Sequence, residues 1–251
     1  MRITRSGRPV AGPVRGPRRR SALALVGAAA AALAVGLFPA AATAQVDESS
    51  RNWAGYIAGN AYYSGVSAVI QVPQVTDARR LGVISSWVGI GGVTSTDLIQ
   101  AGVSATEFNG RSSYEAWVEL LPAASRTINI QVHPGDLVMV DIHEVQPNLW
   151  QGTIVDGTQV FQRQAAYQSC HCSAEWIVEA PSLASGGIVP LAGASGASMS
   201  QMSAVANGVP SNPVQLSAQA VQMVGPLGRP KAVPTVLGPD GASFSVTTLA
   251  P

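Results

Sequence analysis

The stretch SAEWIVEAP, Ser173 to Pro181, decides how this chain is read. Ala174, Trp176 and Val178 alternate with Glu175, Ile177 and Glu179. A strand sends successive side chains to opposite faces, so one face here is apolar and the other carries two carboxylates. A glutamate that faces a groove from a strand can act as a general base. The stretch DLIQAGV, Asp97 to Val103, supplies a companion, because Gln100 follows the apolar Leu98 and Ile99. A glutamine amide both donates and accepts hydrogen bonds. Together a glutamate and a glutamine can activate a water and hold an oxyanion. That suffices for peptide hydrolysis without serine, cysteine or metal.

The same alternation extends outward in both directions. Between Tyr62 and Val75, the residues Val66, Ala68, Ile70 and Val72 share one face. Ser85 to Ile90 and Tyr114 to Leu121 read as strands, the second ended by Pro122. Ile128, Ile130 and Val132 alternate before the turn His133-Pro134-Gly135-Asp136, so this segment and Leu137 to Val145 read as a hairpin. Asp156-Gly157 between Trp150–Val155 and Thr158–Gln164 is a two-residue hairpin signal. Gln215 to Val224 and Ala242 to Thr248 complete the set, and no long segment has a helical period. Many short strands separated by turns predict an all-β fold, an antiparallel β-sandwich of two large sheets. Glu115, Trp117 and Glu119 share a face opposite Ala116, Val118 and Leu120, which repeats the pattern around Glu175. A sheet of this kind has a dry core behind it and a Trp/Glu surface in front. Trp53 and Trp87 are candidates for that surface, although core packing is the commoner fate of a strand tryptophan.

The first 44 residues read as a separate signal peptide. They hold seven arginines and no acid, then an apolar run from Ala22 to Phe38, then Ala42-Thr43-Ala44 before Gln45. That is the layout of a secretory leader, so a secreted, extracellular protein of residues 45–251 is expected. Removing it changes the charge. Seven of the 15 basic residues leave, so eight remain against 14 acidic ones, a net of −6. That balance offers nothing for nucleic acid and no basic face for a membrane once the leader is cut. The remaining length suits one domain. Cys170 and Cys172 flank His171, and the other histidines, His133 and His143, lie far off. The pair therefore reads as a local disulfide or an exposed loop pair rather than a metal site. No cofactor is expected.

Six motifs occur in order. They are Asn52-Trp53-Ala54-Gly55, Trp87-Val88-Gly89-Ile90, Leu98-Ile99-Gln100-Ala101-Gly102, Tyr114-Glu115-Ala116-Trp117-Val118-Glu119, His133-Pro134-Gly135-Asp136 and Ala174-Glu175-Trp176-Ile177-Val178-Glu179. In that order and spacing the chain resembles the eqolisin, or glutamic peptidase, family. The resemblance implies a lectin-like sandwich with polypeptide substrates lying across its concave sheet. It implies Gln100 and Glu175 as the catalytic pair, Glu119 on the substrate side, and Trp53 and Trp87 in the groove beside Trp117. Two positions depart from the family pattern: its aspartate after Trp-Val-Gly-Ile is Gly91, and its tyrosine two residues beyond the Trp-x-Glu glutamate is Leu121.

The expected function is an endopeptidase working as a monomer at acidic pH, since a carboxylate of ordinary pKa, about 4.3, is already ionised in mild acid. Two readings from other classes compete. One is a sugar-binding sandwich that uses the tryptophans, and the other a glycosidase that pairs Glu119 with Glu175. Gln100 separates them, because neither rival needs it.

Overall fold

The computed structural model describes residues 42–76, 81–183 and 187–249. These belong to one compact unit, Ala40–Pro251. The expected leader lies outside the described residues except for its last three. Those run alongside a later segment, Ala44 N–H donating to Pro234 O at 3.0 Å and Val236 N–H to Ala42 O at 2.9 Å.

Eighteen strands follow one another among the described residues. They are β1 Glu48–Ser50, β2 Trp53–Ala58, β3 Tyr63–Gln71, β4 Gln74–Val75, β5 Gly82–Gly91 and β6 Leu98–Phe108. Then come β7 Arg111–Leu120, β8 Arg126–Thr127, β9 Leu137–Gln146, β10 Leu149–Asp156, β11 Gln159–Ala166 and β12 Ala174–Glu179. The last are β13 Ala194–Ser195, β14 Ser198–Ala206, β15 Val209–Ser211, β16 Gln219–Val224, β17 Pro230–Pro234 and β18 Phe244–Thr248. There is no helix among the described residues.

Fourteen of the strands form one hydrogen-bonded path, β11-β10-β9-β3-β14-β18-β17-β16-β2-β12-β5-β6-β7-β8, with β1 and β15 paired to its side and β4 and β13 paired separately. It turns back at β18, which pairs with β14 on one side and β17 on the other. The two halves stack, β3 against β5 and β12, and β9 against β5 and β6. The result is a β-sandwich, antiparallel except for β1, which runs parallel to β16. Val66, Ala68 and Ile70 of one half meet Val88, Val103 and Trp176 of the other in the core. Trp176 is fully buried, and its indole N–H reaches Ser67 O across the sandwich at 3.0 Å. That bond removes the cost of burying the one polar atom of the ring.

One expected pairing is absent. Ile128, Ile130 and Val132 are buried, as their alternation requires, but they form no strand. β9 pairs instead with β3 and β10. The turn at 133–136 docks on the chain after β3, with Gly135 N–H bonded to Val72 O and Val72 N–H to Asp136 O, both at 2.9 Å. Alternation records which side faces the core; it does not name the hydrogen-bond partner. The Asp156-Gly157 hairpin is present, with Asp156 opposite Gln159 and Gly157 at φ 56°.

Candidate active site

The register places five residues side by side on the outer face of one half: Ile57, Glu175, Gly89, Gln100 and Glu119. Directly opposed residues in antiparallel strands project to the same side. Glu175 and Gln100 stand two strands apart, about 10 Å between backbones. Gly89 lies between them and leaves that space to their side chains. A Cβ there would meet Trp87 Cζ3 at 2.9 Å, Leu98 Cδ1 at 3.0 Å and Gln100 Cβ at 3.2 Å.

Glu175 is fully buried, and neither carboxylate oxygen has a hydrogen-bond partner among the described residues. Burial pushes its pKa well above the usual carboxylate range, and the nearby Asp97 charge pushes the same way. The Ser173 hydroxyl offsets part of this. That offset is weak, because Ser173 Oγ closes no bond of hydrogen-bonding geometry. Gln100 is also buried. Its Nε2 donates to Glu119 Oε2 at 2.6 Å, while its Oε1 has no partner among the described residues. The carboxylate can only accept from the amide while it is ionised, which fixes the amide orientation and leaves the second Nε2 hydrogen free. Burial raises the Glu119 pKa, and the bond from Gln100 pulls it back in part.

The next row on this face runs Trp117, Gly102, Trp87 and Ile177. Trp87 has no exposed surface and Trp117 only 7%. Both rings pack down into this face, as deeply buried as Glu175 and Gln100 beside them. Each indole N–H is tied down, Trp87 Nε1 to Glu179 Oε2 and Trp117 Nε1 to Ser104 Oγ, both at 2.8 Å. Trp53 is half-buried and meets Trp87 edge-on, with ring centroids 5.1 Å apart. Glu179 also accepts from Asn52 Nδ2 at 2.9 Å. Some of its surface stays accessible, yet the crowding of protein around it raises its pKa to about 7 against the pull of these hydrogen bonds. The sequence reading missed Glu179, Gly89 and Ser104. The signal for Glu179 was present, since it shares the Glu175 face four residues on.

The Cys170–Cys172 disulfide sits at the rim. Cys170 N–H donates to Asp97 Oδ2 at 2.7 Å, and Ser173 O accepts from Gly91 N–H at 3.2 Å. His171 between the cysteines stacks on Tyr62 at 4.1 Å and lies 3.2 Å from Glu144 Oε2. No group of three His, Cys, Asp or Glu side chains gathers as a metal site among the described residues. Gly91 has φ 93°, and a Cβ on it would lie 2.5 Å from Asp97 O. The family's aspartate therefore has no room there.

Residues 51–228 match the peptidase A4 family. Aspergillopepsin-2 of Aspergillus niger is 28% identical over 160 residues, which cover 53% of this chain and 57% of that protein. The match thus spans little more than half the length of that relative. A crystal structure of scytalido-glutamic peptidase with a transition state analog inhibitor superposes with a TM-score of 0.68 at 23% identity, covering 79% of this chain and 98% of the other. Aspergilloglutamic peptidase from Aspergillus niger gives a TM-score of 0.60 at 25% identity, covering 67% and 99%. Likeness at 23% identity speaks for the fold alone. The family match takes in all four strands that carry Gln100, Glu175, Gly89 and Glu119, and by that match the chain belongs to the peptidase A4 family.

Proposed function

We propose that the protein is a secreted glutamic-type endopeptidase in which Glu175 and Gln100 act together on a water. The observation that supports this most is a fully buried carboxylate, without a partner, beside an amide whose oxygen is equally without one. Leaving such a group unsatisfied costs roughly 1–3 kcal/mol, so a fold that keeps several together is expected to use them.

Glu175 takes a proton from the water, and the water oxygen attacks the peptide carbonyl carbon. Gln100 Oε1 accepts the other water hydrogen. The free Nε2 hydrogen donates to the oxyanion as the tetrahedral intermediate forms. Glu175, now protonated, returns its proton to the leaving amine as the C–N bond breaks. Substrates are extended polypeptides lying across the outer face, held near Trp53. Export with cleavage near Gln45 and a monomeric enzyme belong to the same reading. No helix among the described residues is long and apolar enough to cross a membrane.

The acid range expected from the sequence rested on an ordinary glutamate pKa. Burial removes that footing. The base form of Glu175 is gained at higher pH, which moves the working range upward from that expectation. The glycosidase reading loses support, because Glu119 stands three strands from Glu175, about 14 Å between backbones, and is engaged by Gln100. A sugar-binding sandwich has no use for a buried carboxylate without a partner.

The test is digestion of a denatured protein across pH ~2 to ~7, the span of carboxylate titration, with mass spectrometry of the products. Glu175→Gln should lose at least about a hundred-fold in kcat. Gln100→Ala should lose roughly a hundred-fold or more, with a smaller change in KM. Full activity in folded Glu175→Gln would overturn the proposal.

A further inference from the structure

The two halves of the sheet are joined at β18 but end in two free strands, β8 and β11, at opposite ends of the path. Between these edges lies a cavity of about 750 Å³. It is backed by β6 and β7 on the face opposite the Gln100 and Glu119 side chains. Ile99, Val118, Leu120, Ile142, Trp150 and Phe161 line it. Its size and apolar lining are those of a small-ligand site.

Two arginines break the apolar wall. Arg126 stands opposite Val118 of β7, and Arg163 opposite Gly152 of β10, so both occupy inward positions of their strands. Both line the cavity and both remain exposed to solvent at its mouth. Neither makes an ion pair among the described residues, where every ion pair involves a histidine. A Cβ on Gly152 would meet nothing within 4 Å, so the space before Arg163 is open. Glu119 is the one acidic residue along the wall, and its carboxylate is bonded on the other face by Gln100. Side chains outside the cavity tie β11 and the segment after it to the chain around β6, β7 and β8. Tyr167 OH bridges Leu98 N–H and Leu121 O at 2.7 and 2.8 Å, and the Gln159 amide clasps Gln131 N–H and O, both at 2.9 Å.

We infer that this chamber is a binding site for an amphiphilic monocarboxylate of the fatty-acid type. The apolar chain fills the space between the sheets, and the carboxylate sits between the guanidinium groups of Arg126 and Arg163. Guanidinium forks match a carboxylate in geometry and charge. The lining is mostly apolar, which suits an alkyl chain better than a sugar or a nucleotide. Inward charges on edge strands also discourage edge-to-edge pairing, a role that needs no ligand and that binding measurements separate from this one.

The probe is dodecanoate, titrated calorimetrically into the purified protein at neutral pH, with dodecanol as its uncharged match. Dodecanoate should bind one to one and at least about ten-fold tighter than dodecanol, and the gap should narrow in high salt. The Arg126→Gln/Arg163→Gln double variant should lose that preference. Gly152→Leu, which fills the chamber, should abolish binding of both. Absence of saturable dodecanoate binding, equal binding of dodecanol, or unchanged preference in the double variant would each overturn the inference. The comparison of the two probes on the unaltered protein decides the matter even if a variant fails to fold.

Discussion

Glu119 shows how a bond across strands bears on a residue's role. The family resemblance implies a place on the substrate side, and in the structure its carboxylate accepts from Gln100 Nε2 and so aims the amide oxygen away from itself. Under the proposed mechanism that bond gives Glu119 a positioning role. Glu119→Leu should lower kcat roughly ten- to a hundred-fold with little change in KM, and Glu119→Gln, which still offers an acceptor, should restore most of it. Steady-state kinetics on both variants checks this, since a purely structural role would not be rescued selectively. Glu175 yields a second prediction. Its base form requires a lost proton, and both burial and the Asp97 charge hold that proton on. The acidic limb of kcat/KM should therefore lie above the ordinary 4.5. Removing a nearby negative charge favours ionisation, so Asp97→Asn should move the limb to lower pH. An unmoved limb would mean another group controls it. Gln100 and Glu175 could be singled out as candidates because their residue types stand in recognisable strand motifs. The bond to Glu119 and the burial that reverses the pH argument were not, because both depend on which strands become neighbours.

Strand periodicity told which residues face inward, and it failed where pairing had to be known. Ile128, Ile130 and Val132 alternate like a strand yet form no named strand and serve as a buried crossing toward β9. β14 went unread because its serine-rich sequence, SMSQMSAVA, carries little apolar contrast. Glycines are where the elements of the site are most constrained. Gly102 sits between Trp87 and Trp117, and a Cβ there would lie 2.2 Å from Ser86 O and 2.6 Å from Trp87 Cβ. Gly89 plays the same part between Glu175 and Gln100. Gly89→Ala should force the Trp87 ring and Gln100 apart from their present places, costing about 1–3 kcal/mol. Because the methyl also enters the space between base and amide, kcat should fall at least about ten-fold. Thermal melting and turnover together check this. Loss of stability with unchanged kcat would place the reacting atoms elsewhere.

At the scale of the molecule, buried carboxylates set the pH at which the sandwich is most stable. Glu179 has its pKa raised to about 7 and Glu175 has its own raised well above 4.5, both chiefly by burial. The folded state thus holds protons that the unfolded chain releases. Stability from these groups is fully present below the unfolded value near 4.5 and is lost as pH rises through the folded values. Asp97 and Asp240 are shifted down and act oppositely, losing their contribution as pH falls through the acid range. The melting temperature should therefore peak in mild acid, near pH ~4 to ~5, and decline toward neutrality. Glu179→Gln isolates the Glu179 part. Glutamine copies the protonated side chain, keeping one acceptor for Trp87 or Asn52 and carrying no charge at any pH. At pH ~4 the variant should melt close to the parent. By pH ~8 it should melt higher, because it escapes an ionisation cost on the order of 3 kcal/mol, the shift converted at ~1.36 kcal/mol per pKa unit. For a domain of this size that is a rise of roughly 6–12 °C. A variant whose melting temperature falls with pH as steeply as the parent's would show that Glu179 is not the group that titrates.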